Sequence, residues 1–313
     1  MWVQFEKWHG CQNDFVLTWL THHEAKYLSG VLQRNAKSIC SRNGLGVGAD
    51  GILILLTEDK TQKIPTEVII INSDGSLAKN CGNGLRCVAS SIYRKKDSSF
   101  LENIELIEVK VKEANFNIHY LPQTNKQMLP FVSINMGIPS LNSSNYWHDE
   151  AVEEALSIIK EKNTYPIIDD IATCALSNNH IVFFSSEPCP PRFEELAEKL
   201  QKIPSLDGIN VHWAQQSATP DDLEEKTKSF LNTGVGEFYN VTCWERGCGF
   251  TQACGSGACA VAALAFEAGF ISRTKPILVQ MPGGHVHLKH TEPSHGIDLI
   301  GTAELVFEGK MDL

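Results

Sequence analysis

From Trp2 to Leu20 apolar and polar positions alternate irregularly. Lys7-Trp8-His9-Gly10-Cys11-Gln12-Asn13-Asp14-Phe15-Val16 reads as a strand, a loop and a second strand, with Asn13-Asp14 in the loop. His22 to Cys40 carries apolar residues at helical spacing. The glycine-dense stretch from Ser41 to Gly51 ends that helix in a tight loop, which lacks the Lys-Ser/Thr ending of a phosphate-binding loop. Ile52 to Leu56 and Val68 to Ile71 are short continuous apolar runs bounded by turn residues, the pattern of buried strands. Ile107, Val109 and Val111, then Phe116, Ile118 and Tyr120, alternate with polar residues at the period of half-buried antiparallel strands. The polar stretch Leu121 to Met128, which contains Pro122, is the predicted crossing between two halves.

The second half repeats this plan. A strand is predicted over Phe131 to Asn135 and an amphipathic helix over Asp149 to Lys162, with Val152, Ala155, Leu156 and Ile159 on one face. Ser177-Asn178-Asn179-His180 precedes an apolar strand from Ile181 to Phe184. Pro190-Pro191 opens a surface helix to Lys202, and Ile209-Asn210-Val211 is a short strand. Val241 to Trp244 is another. Ile277 to Met281 and His285 to Leu288 flank Pro282-Gly283-Gly284, a hairpin by its turn residues, and Ala303 to Phe307 is a last strand.

Two stretches break the amphipathic rule. After Cys254-Gly255-Ser256-Gly257 the residues to Ala268 are small and apolar with no polar face, which predicts a buried helix that Gly269 ends. Cys81-Gly82-Asn83-Gly84 opens a similar stretch, so Cys-Gly-x-Gly occurs once in each half, as after an internal duplication. Each cysteine would then sit at a helix N-terminus, where unpaired backbone N–H groups and the positive dipole end favour an anion.

Composition narrows the possibilities. The chain has 313 residues, enough for one large domain or two ordinary ones, and the duplicated motif favours two. Its net charge of −10 argues against binding a phosphate backbone. No run approaches the ~18 apolar residues of a membrane span, and Met1-Trp2-Val3-Gln4-Phe5-Glu6-Lys7 lacks a basic region leading into an apolar core. A cytoplasmic protein with no membrane or nucleic-acid partner is expected. The 10 cysteines are scattered and do not suggest a disulfide framework.

A free cysteine is most often a small buried residue, and that reading applies to Cys87 and Cys259 inside the predicted helices. Cys81 and Cys254 differ because their context repeats. A thiol whose pKa a helix N-terminus lowers is a competent base, and a neutral thiol opposite is a competent acid. Such a pair suits removal of a proton from one face of a carbon and its return to the other, which is racemisation or epimerisation. The two helix N-termini would stabilise the carbanion beside a carboxylate, so no metal or organic cofactor is expected. The alternatives are a thiol redox or metal-binding protein, which the missing C-x-x-C disfavours, and a non-catalytic binding protein. His285, His287 and His290 have no carboxylate or cysteine near them in sequence and read as ordinary strand residues.

The motifs K-W-H-G-C-Q-N-D-F-V, G-V-G-A-D-G, N-S-D-G-S, C-G-N-G-L-R-C, I-N-M-G-I-P, N-N-H, W-E-R-G, A-C-G-S-G-A-C, P-G-G and V-F-E-G run nearly the whole length of the chain. Together they resemble the diaminopimelate epimerases, which interconvert LL- and meso-2,6-diaminopimelate for lysine and peptidoglycan synthesis without a cofactor. The resemblance implies an α+β fold of two pseudo-symmetric domains, each of mainly antiparallel strands rolled around a central buried helix. Residues 1–127 would form the first and 128–299 the second, with the strand in 300–313 returning to the first. It implies Cys81 and Cys254 as the two acid/base residues, one on each side of the reacting α-carbon, and the backbone of Gly82-Asn83 and Gly255-Ser256 as the holder of its carboxylate. Asn72, Asn178, Asn210, Glu245 and Arg246 would read the distal amino acid group, with Asn13 near the reacting centre. Arg246 suits a carboxylate and Glu245 an ammonium. A homodimer is implied as well. The nearest alternative substrate is another amino acid, such as histidine or proline. The chain departs from the family's pattern at Gln12, where Gly is usual, at Ser177 and Asn179 beside the distal-site Asn, and at Phe250, where Glu is usual. The first three are expected to alter loop backbone near the substrate.

Overall fold

The structure is a computed structural model that describes residues 1–78, 80–95, 106–121, 130–141, 170–176, 178–206, 208–292, 294 and 296–313. The chain divides into two compact units, Met1–Asn135 with Ile300–Leu313, and Met136–Leu299. The predicted boundary at residue 127, and the crossing beyond Leu121, lie outside the described residues, as does the helix predicted over Asp149 to Lys162.

The first unit contains β1 (Trp2–Gly10), β2 (Asn13–Thr21), α1 (His22–Arg34), α2 (Ala36–Ile39), β3 (Gly51–Thr57), β4 (Glu67–Asn72), α3 (Gly82–Arg94), β5 (Leu106–Val111), β6 (Ala114–Tyr120) and β7 (Val132–Asn135). The second contains β8 (Ser140–Leu141), β9 (Asp170–Leu176), β10 (Asn178–Ser185), α4 (Phe193–Lys202), β11 (Asn210–Ser217), α5 (Asp221–Leu231), β12 (Glu237–Glu245), β13 (Gly249–Thr251), α6 (Gly255–Glu267), β14 (Ile277–Met281), β15 (Gly284–Thr291) and, as far as Leu299, β16 (Gly296–Gly301). The last strand, β17 (Glu304–Asp312), pairs antiparallel with β1.

In the first unit five strands lie in the order β17-β1-β2-β3-β4, with β2 and β3 parallel. Every residue of β3 is buried, as its unbroken apolar run requires. Helix α1 starts at a capping box in which the Thr21 hydroxyl accepts from the Glu24 amide and the Glu24 carboxylate from Thr21. Its Leu28 and Leu32 close a core with Val3, Phe5, Val16 and Ile54. Helix α3 packs against β1, β2, β3 and β7 and is buried from Gly82 to Ile92. Buried Glu6 joins sheet and helix there: its Oε2 accepts from Trp8 Nε1 at 2.7 Å and from Ser91 Oγ, on α3, at 2.6 Å.

The predicted loop between β1 and β2 falls elsewhere. Gly10 pairs with Asn13 and His9 with Asp14, so Asn13-Asp14 begin β2 and the turn is Cys11-Gln12. Both turn residues have positive φ, 53° and 60°. Two consecutive left-handed residues match the twist of a two-residue hairpin, so register with β1 draws Asn13 and Asp14 into the ladder.

In the second unit the strands run β16-β15-β14-β12-β11-β10-β9-β8, with β13 paired to β12. The β10–β11 and β12–β14 pairs are parallel, and the other pairs with a defined register are antiparallel, so the sheets are mixed. Helix α6 packs against β9, β10, β11 and β15, and Gly257 to Phe266 are buried without a break. Phe193, Leu196 and Leu200 of α4 meet Trp213 and Trp244 in a separate core. Strand β9 and helix α5 were not predicted from the sequence pattern. The α5 stripe is narrow, with only Leu223, Thr227 and Phe230 buried.

Candidate active site

The two Cys-Gly-x-Gly motifs fold alike. Cys81 is the N-cap of α3, with φ −160° and ψ 105°, and its Sγ accepts from the Gly84 amide at 3.4 Å. Cys254 is the N-cap of α6, with φ −124° and ψ 104°, and its Sγ accepts from the Gly257 amide at 3.3 Å. A sulfur thus takes the position that a Ser or Asp oxygen takes at ordinary helix starts. Helix geometry leaves the amides of Gly82 and Asn83, and of Gly255 and Ser256, without intrahelical acceptors. These are the backbone groups expected to hold a carboxylate.

Around Cys81 the β1–β2 turn and the glycine-rich loop converge. Asn13 Nδ2 donates to Asp50 Oδ2 at 2.8 Å, which aims the Asn13 carbonyl at Asn83 Nδ2, 3.2 Å away, and at Cys81 Sγ, 4.0 Å away. Asp14 holds this corner through Lys7 Nζ at 2.7 Å and Arg42 Nη2 at 2.6 Å, and Arg42 also reaches Asp50 at 2.8 Å. Burial alone would push the Asp14 carboxyl up; the hydrogen bonds from Arg42 and Lys7 outweigh it and hold the group below its ordinary value. Asn72 ends β4, where its Nδ2 donates to Ser76 Oγ at 2.9 Å, and the next amide, Ser73, donates to the Asp50 carbonyl at 3.1 Å. The first unit therefore gathers Asn13, Asn72 and Cys81 about Asp50. Sequence reasoning assigned no role to Asp50, Asp14 or Arg42; the signals were N-D-F and G-V-G-A-D-G, quoted only as motifs.

In the second unit Asn210 opens β11, buried, and its Oδ1 accepts from the Arg246 amide at 2.9 Å. Glu245 ends β12 and accepts from Thr251 Oγ1 at 2.6 Å. Gly208, at φ +63°, lies so close to Arg246 that a Cβ there would meet its Cδ at 2.6 Å. Asn210, Glu245 and Arg246 are thereby brought together. Asn178 opens β10, two residues before the His180–Asn210 register pair. Ser177 lies outside the described residues. Phe250 pairs with Trp244 across β12–β13 and meets its ring edge-on at 4.8 Å, an aromatic contact where the family pattern has a carboxylate.

The expectation that the helix N-terminus lowers the thiol pKa fails for Cys254. Its thiol is pushed well above the ordinary value, first by burial and then by the negative charge of Glu245, which the Ser256 hydroxyl and Gly257 amide do not offset. Cys254 is a neutral thiol near pH 7. Burial likewise pushes up Cys87, inside α3.

Among the described residues no group of His, Cys, Asp and Glu is arranged to hold a metal ion, no disulfide joins the cysteines, and no helix is long and apolar enough to cross a membrane. His287 is buried against Thr227, with Nε2 2.7 Å from Oγ1.

The sequence matches the family model of diaminopimelate epimerase over residues 5–139 and 178–306. It is 30% identical to the diaminopimelate epimerase of Bacillus subtilis, over 98% of this chain and 97% of that protein. It is also 30% identical to the diaminopimelate epimerase of Pseudomonas fluorescens, over the whole of both. Among solved structures, a PhzF-family phenazine biosynthesis protein of Bacillus anthracis superposes over all of both chains with a TM-score of 0.68 at 14% identity. A hydroxyproline epimerase of Agrobacterium vitis does so over all of this chain and 93% of its own, with a TM-score of 0.59 at 13% identity. At these identities the solved structures share the fold alone.

Proposed function

Because the chain belongs to the diaminopimelate epimerase family, we propose that it interconverts LL- and meso-2,6-diaminopimelate, the step that feeds lysine and peptidoglycan precursor synthesis. The observation that carries this reading is the repeated cysteine cap, a thiol held by a backbone amide at the start of a buried helix in each unit.

One thiolate removes the proton from an α-carbon and the other residue, as a thiol, returns a proton to the opposite face. The carbanion between these steps spreads its charge into the adjacent carboxylate, and amides preorganised at a helix N-terminus stabilise it without reorganisation. The raised Cys254 pKa suits it to enter as the acid, which makes Cys81 the base in that direction. Reversal exchanges the roles. A thiol of raised pKa gives, once ionised, a strong base for the return reaction. Asn13 is the polar group beside the Cys81 sulfur. At the distal end, Arg246 pairs with the carboxylate and Glu245 with the ammonium, with Asn72, Asn178 and Asn210 supplying amide contacts. A homodimer belongs to the same reading and is checked by light scattering.

The test is proton NMR of the reduced protein with LL-diaminopimelate in D2O, run beside Cys81→Ala and Cys254→Ala. The expected result is deuterium entering one α-carbon with formation of the meso isomer, lost in both variants. No exchange in the reduced wild type removes the assignment and turns attention to histidine and proline as substrates.

A further inference from the structure

Behind the second cysteine cap lies a pair of histidines that the proton chemistry does not use. His180 on β10 and His212 on β11 are both fully buried, with His180 Nδ1 2.9 Å from His212 Nε2 and their rings stacked at 5.2 Å. Of the outer ring nitrogens, His212 Nδ1 has no partner among the described residues, whereas His180 interacts with the Leu176 backbone. Burial pushes the pKa of both rings down, so the pair is neutral at pH 7. Leaving a buried polar atom unmet is costly, and an apolar pair would fill the same space without that cost.

What the pair touches gives it a task. A Cβ built on Gly257 would lie 2.4 Å from His212 Cε1 and 2.8 Å from its Nε2, so the first turn of α6 rests directly on the imidazole face. Gly257 is the residue whose amide holds the Cys254 sulfur. His180 is also the register partner of Asn210. We infer that His212, held in place by His180, is a positioning residue for Cys254: its ring sets the height of the Gly257 amide beneath the sulfur. This rests on the epimerase reading for its effect on turnover and on geometry alone for its effect on the thiol.

The experiment compares wild type, His212→Leu, His212→Gln and Gly257→Ala in two assays. One is steady-state epimerisation. The other is the pH profile of iodoacetamide alkylation at Cys254, read by peptide mass spectrometry with Cys81 as internal reference. His212→Leu is expected to lower kcat about 10²-fold, as a misplacement on the order of 1 Å does, with KM little changed. It also moves the Cys254 profile to higher pH, because the amide that stabilises the thiolate shifts away, and leaves the Cys81 profile in place. His212→Gln, which keeps a polar partner for His180, restores most of both. Gly257→Ala, which forces a methyl into the ring, moves the Cys254 profile in the same direction as His212→Leu. If wild type does not turn over diaminopimelate, the alkylation assay still decides. A Cys254 profile unmoved or moved downward in Gly257→Ala, or a folded His212→Leu with wild-type kcat and profile, overturns the inference.

Discussion

A sulfur caps each buried helix, so under the proposed function the same two atoms serve fold and chemistry, and substitution can separate the roles. Serine also accepts a hydrogen bond from a helix amide and is among the strongest N-caps, but its hydroxyl is far too weak an acid to ionise near neutral pH. Cys81→Ser and Cys254→Ser are therefore expected to unfold within about 0.5 kcal/mol of wild type while losing on the order of 10²–10⁴-fold in epimerisation. The matching alanine variants lose the cap and cost about 1 kcal/mol. Urea unfolding beside turnover measures both, and serine variants that unfold like alanine variants would refute the cap. A second residue-scale consequence concerns Gln12, at φ 60° in the β1–β2 turn. A non-glycine residue there meets steric strain that glycine does not. Gln12→Gly is expected to stabilise the protein by about 1 kcal/mol net of backbone entropy, seen as a higher urea midpoint with an unchanged slope; an unchanged or lower midpoint would show that the turn carries no such strain. Here sequence reading was half right. It found Gln12 in place of the family's glycine but put the turn at Asn13-Asp14, because Asx residues are stronger turn signals than Cys-Gln. Only the pairing of Gly10 with Asn13 corrects it.

Helix α6 was legible from end to end because its pattern has a single explanation. Small apolar residues with no polar face demand burial on all sides, and Gly269 marks the stop. In the structure the Gly269 amide donates to the Phe266 carbonyl at 3.3 Å and the Phe270 amide to the Ala265 carbonyl at 3.1 Å, with Gly269 at φ +73°. This is the Schellman arrangement. Gly269→Ala is expected to cost about 1 kcal/mol without changing epimerisation, since it alters the end of α6 remote from the cap. Loss of activity at full stability would contradict that division. Elements with weaker periodicity were the ones missed. Strand β9, which reads Asp-Ile-Ala-Thr-Cys-Ala-Leu, mixes small and polar residues and is held by pairing with β10 and β8. Helix α5 announced itself only by Pro220 and the acidic residues of its first turn. The site residues divide similarly. Cys81 and Cys254 stood out because they repeat, whereas Asp50 depends on contacts with Asn13 and Arg42 that no spacing in the chain encodes.

Across the whole molecule the buried histidines set how stability responds to acid. Burial lowers the pKa of His180 to about 4, and burial with nearby His285 lowers that of His287 to about 3. His212 is lowered too. In the unfolded chain the same rings titrate near 6.5. Between these limits the unfolded state binds protons that the folded state refuses, so stability is fully present above pH 6.5 and declines as pH falls toward 4 and below. For His180 alone the shift amounts to on the order of 3 kcal/mol. Two effects complicate the trend. The net charge of −10 shrinks toward the isoelectric point near 5.6, which relieves self-repulsion and acts in the opposite sense. That effect is spread over surface charges screened within ~10 Å at 0.1 M salt, and the local desolvation of a buried ring exceeds it. Asp14 has a lowered folded value, so its contribution persists until the pH falls below about 4, and it adds to the loss only there. The expected curve therefore falls first through the histidine window and more steeply below it. His287→Gln, which keeps a polar group for the Thr227 hydroxyl, should lessen the fall between pH 6.5 and 4 relative to wild type, with urea midpoints compared at 0.1 M salt. If the variant and the wild type fall in parallel, His287 is already charged in the folded protein, and the acid response must come from His180, His212 and the carboxylates instead.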